Sequence, residues 1–172
     1  WTSWFFHTDL TFVLILAGII FALLPDIDFF IQLINHGSVG GKVIREHREL
    51  THFPIIYIPV VILVYVVFGA MWVALFSLAI LAHFLHDSVG IGWGIKWFWP
   101  FSKKAYKFFS EKDGRFSHRF VISWGPAELK EVAANYGDPD WIRNIYLRPT
   151  PIAVIEFSFF AISFVILYLY LA

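Results

Sequence analysis

The basic residues and the long apolar blocks of this chain occupy separate stretches, and that segregation limits what it can fold into. Of its thirteen Lys and Arg, three (Lys42, Arg45 and Arg48) fall in one segment and ten between Lys96 and Arg148. Around them stand four apolar blocks, at 10–24, 53–68, 71–85 and 152–171. A helix crosses the ~30 Å hydrocarbon layer with roughly 20 residues, and these blocks approach that length. Composition agrees: 59% of the chain is hydrophobic and 15% charged, where a soluble domain has about half and about a quarter. The expectation is an all-α polytopic membrane protein, a single membrane-embedded domain over 1–172 with about four transmembrane helices. Their limits are about 5–24, 53–68, 70–87 and 151–171. Trp1, Trp4, Phe5 and Phe6 extend the first block and anchor it at an interface. Residues 1–24 lack the basic start of a signal peptide, so they read as a retained helix.

Four spans place the polar segments 25–52 and 88–150 on one side. Because every Lys and Arg lies in them, the positive-inside bias assigns both to the cytoplasmic side of the cytoplasmic (inner) membrane. Three or five spans would divide those charges. Segment 88–150 interleaves Trp93, Trp97, Phe98, Trp99, Phe101 and Tyr106 with Lys96, Lys103, Lys104 and Lys107. Rings and ammonium groups in that mixture suit the headgroup layer and its lipids, so the segment reads as an interfacial helical cap. Within it, Pro126 and Gly137 bracket a short helix, and 138–146 reads as a second. A nucleic-acid partner is not expected, since the neighbouring spans already account for the pattern.

Three polar clusters meet on that face. His83 and Asp87 are four apart at the end of the third block and share one helix side, with His86 close by. Asp26 and Asp28 follow Pro25, where a turn directs both carboxylates to one place. Arg45-Glu46-His47-Arg48-Glu49-Leu50-Thr51-His52 leads into the second block. Singly, each has a bland reading: a helix end at the headgroups, a solvated turn, a charged surface run. Together they bring several metal-capable groups to one membrane face, where ionisable residues are costly unless paired or functional. With no cysteine in the chain, disulfides and thiolate sites are excluded. Imidazole with carboxylate suits zinc, iron or manganese.

Leu24-Pro25-Asp26-Ile27-Asp28, His47-Arg48-x-x-Thr51-His52 and His83-x-x-x-Asp87, followed by Trp99-Pro100-Phe101-Ser102, resemble the membrane-bound metal-dependent hydrolase family. Its members are also described as LexA-binding, inner-membrane-associated hydrolases, and it is distantly similar to zinc phospholipases C. The resemblance covers about residues 7–102. It implies Asp26, Asp28, His47, His52, His83 and Asp87 as the metal-site positions and phosphoester hydrolysis as the chemistry. Glu49 and Phe53 depart from the family's usual glycine and serine. His7 matches an early family histidine, yet a straight helix from it to Asp26 spans roughly 28 Å, which places His7 across the membrane. His36 and His118 read as loop residues.

The functional expectation is a metal-dependent hydrolase at the cytoplasmic membrane face, acting on a phosphoester of a lipid or amphiphile. Its cofactor is a divalent transition metal, zinc first, as one or two ions. His47, His52, His83 and Asp87 are the expected ligands, with Asp26 and Asp28 as further ligands or one of them as general base. Arg45 or Arg48 holds the substrate phosphate, because guanidinium matches its geometry. His86 supports the ligands or substitutes for His83. The alternative is a non-catalytic subunit or scaffold of a membrane assembly, with membrane lipids and other membrane-protein subunits as partners. An ion or proton pathway ranks last, since the second to fourth blocks show no ionisable residue at mid-depth apart from Tyr hydroxyls.

Overall fold

The computed structural model describes residues 2–37, 50–110 and 116–171. A short α1 (Thr2–Phe5) precedes α2 (Phe12–Leu23), which runs through the 3-10 turn Leu24–Asp26 into α3 (Ile27–His36). Two further 3-10 turns, Leu50–His52 and Pro54–Ile56, lead into α4 (Tyr57–Phe68), and Gly69 separates α4 from α5 (Ala70–Val89). Strands β1 (Ala105–Ser110) and β2 (Phe116–Trp124) precede α6 (Pro126–Tyr136), a π-helical turn Ile142–Tyr146 and α7 (Pro151–Leu171).

Among the described residues, three helical stretches are long and apolar enough to cross a membrane: Phe12–Asn35, Ala70–Val89 and Pro151–Tyr170. Pro54–Phe68 is apolar but shorter. The first stretch starts and ends later than the expected 5–24. Residues 27–34 alternate Asp28 and Gln32 with Ile27, Phe29, Phe30, Ile31, Leu33 and Ile34, which lets the helix continue past Pro25. Proline is tolerated there because it opens a new helical turn, where its missing N–H removes no bond.

The helices are arranged by the chain's own connectivity. Gly69, at φ +85°, turns α4 back against α5. Thr8 Oγ1 donates to Met71 Sδ at 3.5 Å, near the start of α5, while Asp26 meets His83 near the other end. Helices α2 and α5 are therefore parallel, with α4 antiparallel to both. Between them lies a core of Tyr57, Phe76, Ile80, Phe84 and Ile95, flanked by Phe21, Leu24, Val60 and Val64. Lipid is as apolar as these side chains, so close packing rather than exclusion from water holds such a core together.

The all-α expectation is corrected, because β1 and β2 form an antiparallel pair within the segment expected as a helical cap. Phe, Tyr, Val, Ile and Trp dominate both strands, and these residues fit a pleated surface. The open end of the strand pair, Ala105 and Trp124, packs on Leu129 and Val132 of α6. Strand β1 also reaches back to α5. Lys107, buried, donates from Nζ to the carbonyls of Gly90 and Gly92, both at 2.6 Å, so a cation sits on the carbonyl-rich exit of the helix. Ser88 Oγ donates to Phe84 O and accepts from Trp97 Nε1, each at 2.8 Å. The C-terminal turn of α5, which carries His83 and Asp87, is thus held from the loop and the hairpin.

That clamp depends on Gly94, whose φ is +74° and whose absent Cβ would overlap the Tyr106 carbonyl. Gly94→Ala is expected to break the Ile95–Tyr106 bridge and cost about 1–3 kcal/mol. In detergent, its thermal unfolding midpoint should fall by about 3 °C or more; an unchanged midpoint would show that the hairpin does not brace α5.

Candidate metal centre

His52 sits at the end of a 3-10 turn, fully buried, with a carboxylate at each side of its ring. Its Nε2 lies 3.5 Å from Asp26 Oδ1 and 3.2 Å from Asp87 Oδ2. Its Nδ1 lies 3.4 Å from Asp28 Oδ2 and 3.2 Å from Thr51 Oγ1. Tyr57 steadies the turn by donating from its hydroxyl to Thr51 O at 2.9 Å. His83 approaches from α5, its Nε2 3.4 Å from His52 Nε2 and 3.6 Å from both Asp26 Oδ1 and Asp87 Oδ2.

The distances are informative. Asp26 Oδ1, His52 Nε2 and His83 Nε2 form a nearly equilateral triangle with sides of 3.4, 3.5 and 3.6 Å. A tetrahedral zinc site with ligand bonds of about 2.0–2.2 Å has ligand–ligand edges of about 3.3–3.6 Å. The triangle therefore has the size of one coordination face, and Asp87 Oδ2 approaches the His–His edge from another direction. Two imidazole nitrogens facing each other beside carboxylates leave more acceptors than protons, an arrangement that a cation completes. Asp28 occupies the opposite nitrogen, where an outer carboxylate sets the tautomer and orientation of a ligating histidine. The donor set fits a divalent transition metal.

Electrostatics point the same way. Burial lowers the pKa of His52, but its hydrogen bonds to Asp26, Asp28 and Asp87 outweigh that and raise it from 6.5 to about 10. The carboxylates thus demand positive charge at this ring.

The three motifs meet as the sequence suggests for Asp26, Asp28, His52, His83 and Asp87. His47, Arg45 and Arg48 lie outside the described residues. His7 adjoins Thr8, whose partner Met71 is about 18 Å along α5 from His83 at 1.5 Å per residue, so it belongs to the other end. His118 is exposed on β2, a strand rather than a loop. His36 ends α3. His86 faces elsewhere: its Nε2 pairs with Glu156 Oε1 on α7 at 3.2 Å, and its Nδ1 is 3.9 Å from Asp87 Oδ1. Sequence reasoning overlooked Glu156, although an acidic residue within an apolar span is itself a signal. It also missed Lys107, whose burial no local pattern announces. Phe53, the departure beside His52, stacks on Trp99 with centroids 4.6 Å apart, and Lys96 Nζ lies 5.6 Å from its ring centre.

The sequence model of the YdjM inner membrane protein family matches residues 3–172. The chain is also similar to inner membrane protein YbcI of Escherichia coli (strain K12), with 32% identity over 133 residues that cover 72% of this chain and 69% of that protein. No solved structure matches it.

Two outcomes test the centre. Asp28→Asn, which keeps shape but removes the charge on Nδ1, should weaken zinc binding about 10–100-fold by competition with a chromophoric chelator; wild-type affinity would remove Asp28 from the site. After chelation, His52 carries its proton in the folded chain up to about pH 10 but only to 6.5 when unfolded. Its contribution to stability is then complete below 6.5 and lost as pH rises towards 10. The unfolding midpoint of chelated protein should fall across that window, and His52→Gln should flatten the fall.

Proposed function

The chain belongs to the YdjM inner membrane protein family, and for this member we propose metal-dependent hydrolysis of a phosphoester in a lipid or other amphiphile. The observation that carries this reading is the triangle of Asp26, His52 and His83 donor atoms, closed to metal-face dimensions at the ends of apolar helices. Asp26 and His83 are each about 20 Å along their helices from the far ends of α2 and α5, which brings the centre towards the boundary of a ~30 Å layer. Water and a lipid headgroup both reach that level. The segregation of Lys and Arg supports the cytoplasmic side for this face.

A bound divalent metal, with zinc the first choice and one or two ions, supplies Lewis acidity towards a phosphoryl oxygen and brings a water pKa into the neutral range. His52 and His83 offer Nε2 and Asp26 offers Oδ1 to hold it, with Asp87 beside both rings. Asp28 keeps the His52 ring turned so that Nε2 faces the cluster. Asp26 is the most exposed of the three carboxylates, 31% against 15% for Asp28 and 6% for Asp87. Its second oxygen is therefore the group assigned to take a proton from the attacking water. His47 as a further donor, and Arg45 and Arg48 as the phosphate-binding pair, complete the proposal from the sequence motif.

A second reading, a non-catalytic subunit or scaffold that retains the centre, is favoured by Phe53. Its ring packs against Trp99 next to His52, at the position where the resembled family carries a serine hydroxyl.

Purified protein is expected to contain about one or two transition-metal ions per chain by plasma mass spectrometry, and His83→Ala or Asp87→Ala should remove them. Phosphoester turnover in mixed micelles should fall at least ~100-fold in the same variants. Metal-loaded protein that turns over no phosphoester and copurifies with a stable partner would favour the scaffold. A wild type that binds no metal would overturn the hydrolase.

A further inference from the structure

The turn leading into α7 and the first turns of that helix line an open groove of about 510 Å³ outside the metal centre. Tyr146 and Leu147 from the turn and Ala153, Phe157 and Ala161 from the helix contribute its surface. Residues 153, 157 and 161 recur every four positions and so line one helix face. The groove is built rather than incidental. Thr150 Oγ1 donates to Ile145 O at 2.9 Å and accepts from Ala153 N at 3.2 Å, and the Tyr146 ring meets Phe157 edge-on at 6.3 Å. Arg148, exposed, lines the end nearest the start of α7.

Length and charge identify the occupant. From Pro151 to Ala161 the helix rises about 15 Å, half of a ~30 Å hydrocarbon layer, so the groove has the depth of one leaflet. It is apolar along that depth, with a guanidinium at the end where lipid phosphates lie and whose planar donors match phosphate oxygens. We propose that it is an acyl-chain subsite for a glycerophospholipid, with the chain along Ala153, Phe157 and Ala161 and the phosphate on Arg148. Calling that lipid a substrate rests on the hydrolase reading; its binding does not. The helix that carries the groove is tied towards the centre by polar contacts. Tyr146 hydrogen-bonds to Glu156, Glu156 pairs with His86, and His86 adjoins Asp87.

The test uses full-length protein in nanodiscs of phosphatidylethanolamine with a minor share of phosphatidylglycerol bearing a diazirine midway along one acyl chain. After irradiation, adducts mapped by peptide mass spectrometry should concentrate on 153–161. Ala161→Phe, which fills the groove, and Arg148→Gln should each cut them about fivefold or more, while Ile162→Phe, off the groove, leaves them unchanged. Arg148→Gln decides alone if Ala161→Phe does not fold. Adducts spread evenly along α7, adducts unaffected by both groove variants, or crosslinks to another polypeptide in their place would each overturn the proposal. The two readings fail separately. Lost labelling with intact phosphoester turnover overturns the groove alone. Labelling that persists without turnover, and in His83→Ala, upholds the lipid site and leaves it without the hydrolase.

Discussion

A buried imidazole ringed by carboxylates is the constraint on which the rest of this structure depends. His52 is fully enclosed and faces Asp26, Asp28 and Asp87. Such a cluster beside hydrocarbon is costly unless positive charge balances it, because charges in a low dielectric are poorly screened and poorly solvated. The fold answers by placing every member at a break in a helix or within about two turns of a helix end. Asp26 and Asp28 follow the turn at Pro25, His52 precedes α4, and His83 with Asp87 closes α5.

Parallel α2 and α5, with α4 antiparallel against α5, bring these ends to one level. Dispersion in the core of Tyr57, Phe76, Ile80 and Phe84 sets the helix spacing, and the centre inherits its dimensions from that packing. The hairpin contributes a second restraint. Lys107 neutralises the carbonyls that leave α5, and Trp97 holds Ser88. The last turn of α5 is therefore less free to fray than a helix end normally is, which matters because two site residues stand on it.

Helix α7 stands apart in its chemistry. Most of its length is apolar and exposed, as a lipid-facing helix should be. Its polar tie to the rest is Glu156, which meets His86 beside the centre. Through that pair, the helix bearing the groove is linked to a residue adjoining Asp87.

The sequence alone determined the apolar helices, because continuous hydrophobic runs in a membrane leave the backbone few other ways to satisfy its hydrogen bonds. It also determined that His83 and Asp87 share a face, since helix periodicity is local. Asp26, Asp28 and His52 were legible as site residues only through their motifs. The hairpin within 105–124 was not legible, because aromatics interleaved with lysines suit a headgroup layer and a strand equally well. The continuation of α2 past Pro25 was hidden by the two aspartates. Only the tertiary structure decided that Asp28 serves Nδ1 while Asp26 joins the Nε2 cluster, that Lys107 is buried, and that Glu156 meets His86. Each of these depends on which helix ends pack side by side, and that is set by contacts between residues far apart in the chain, which no local spacing records.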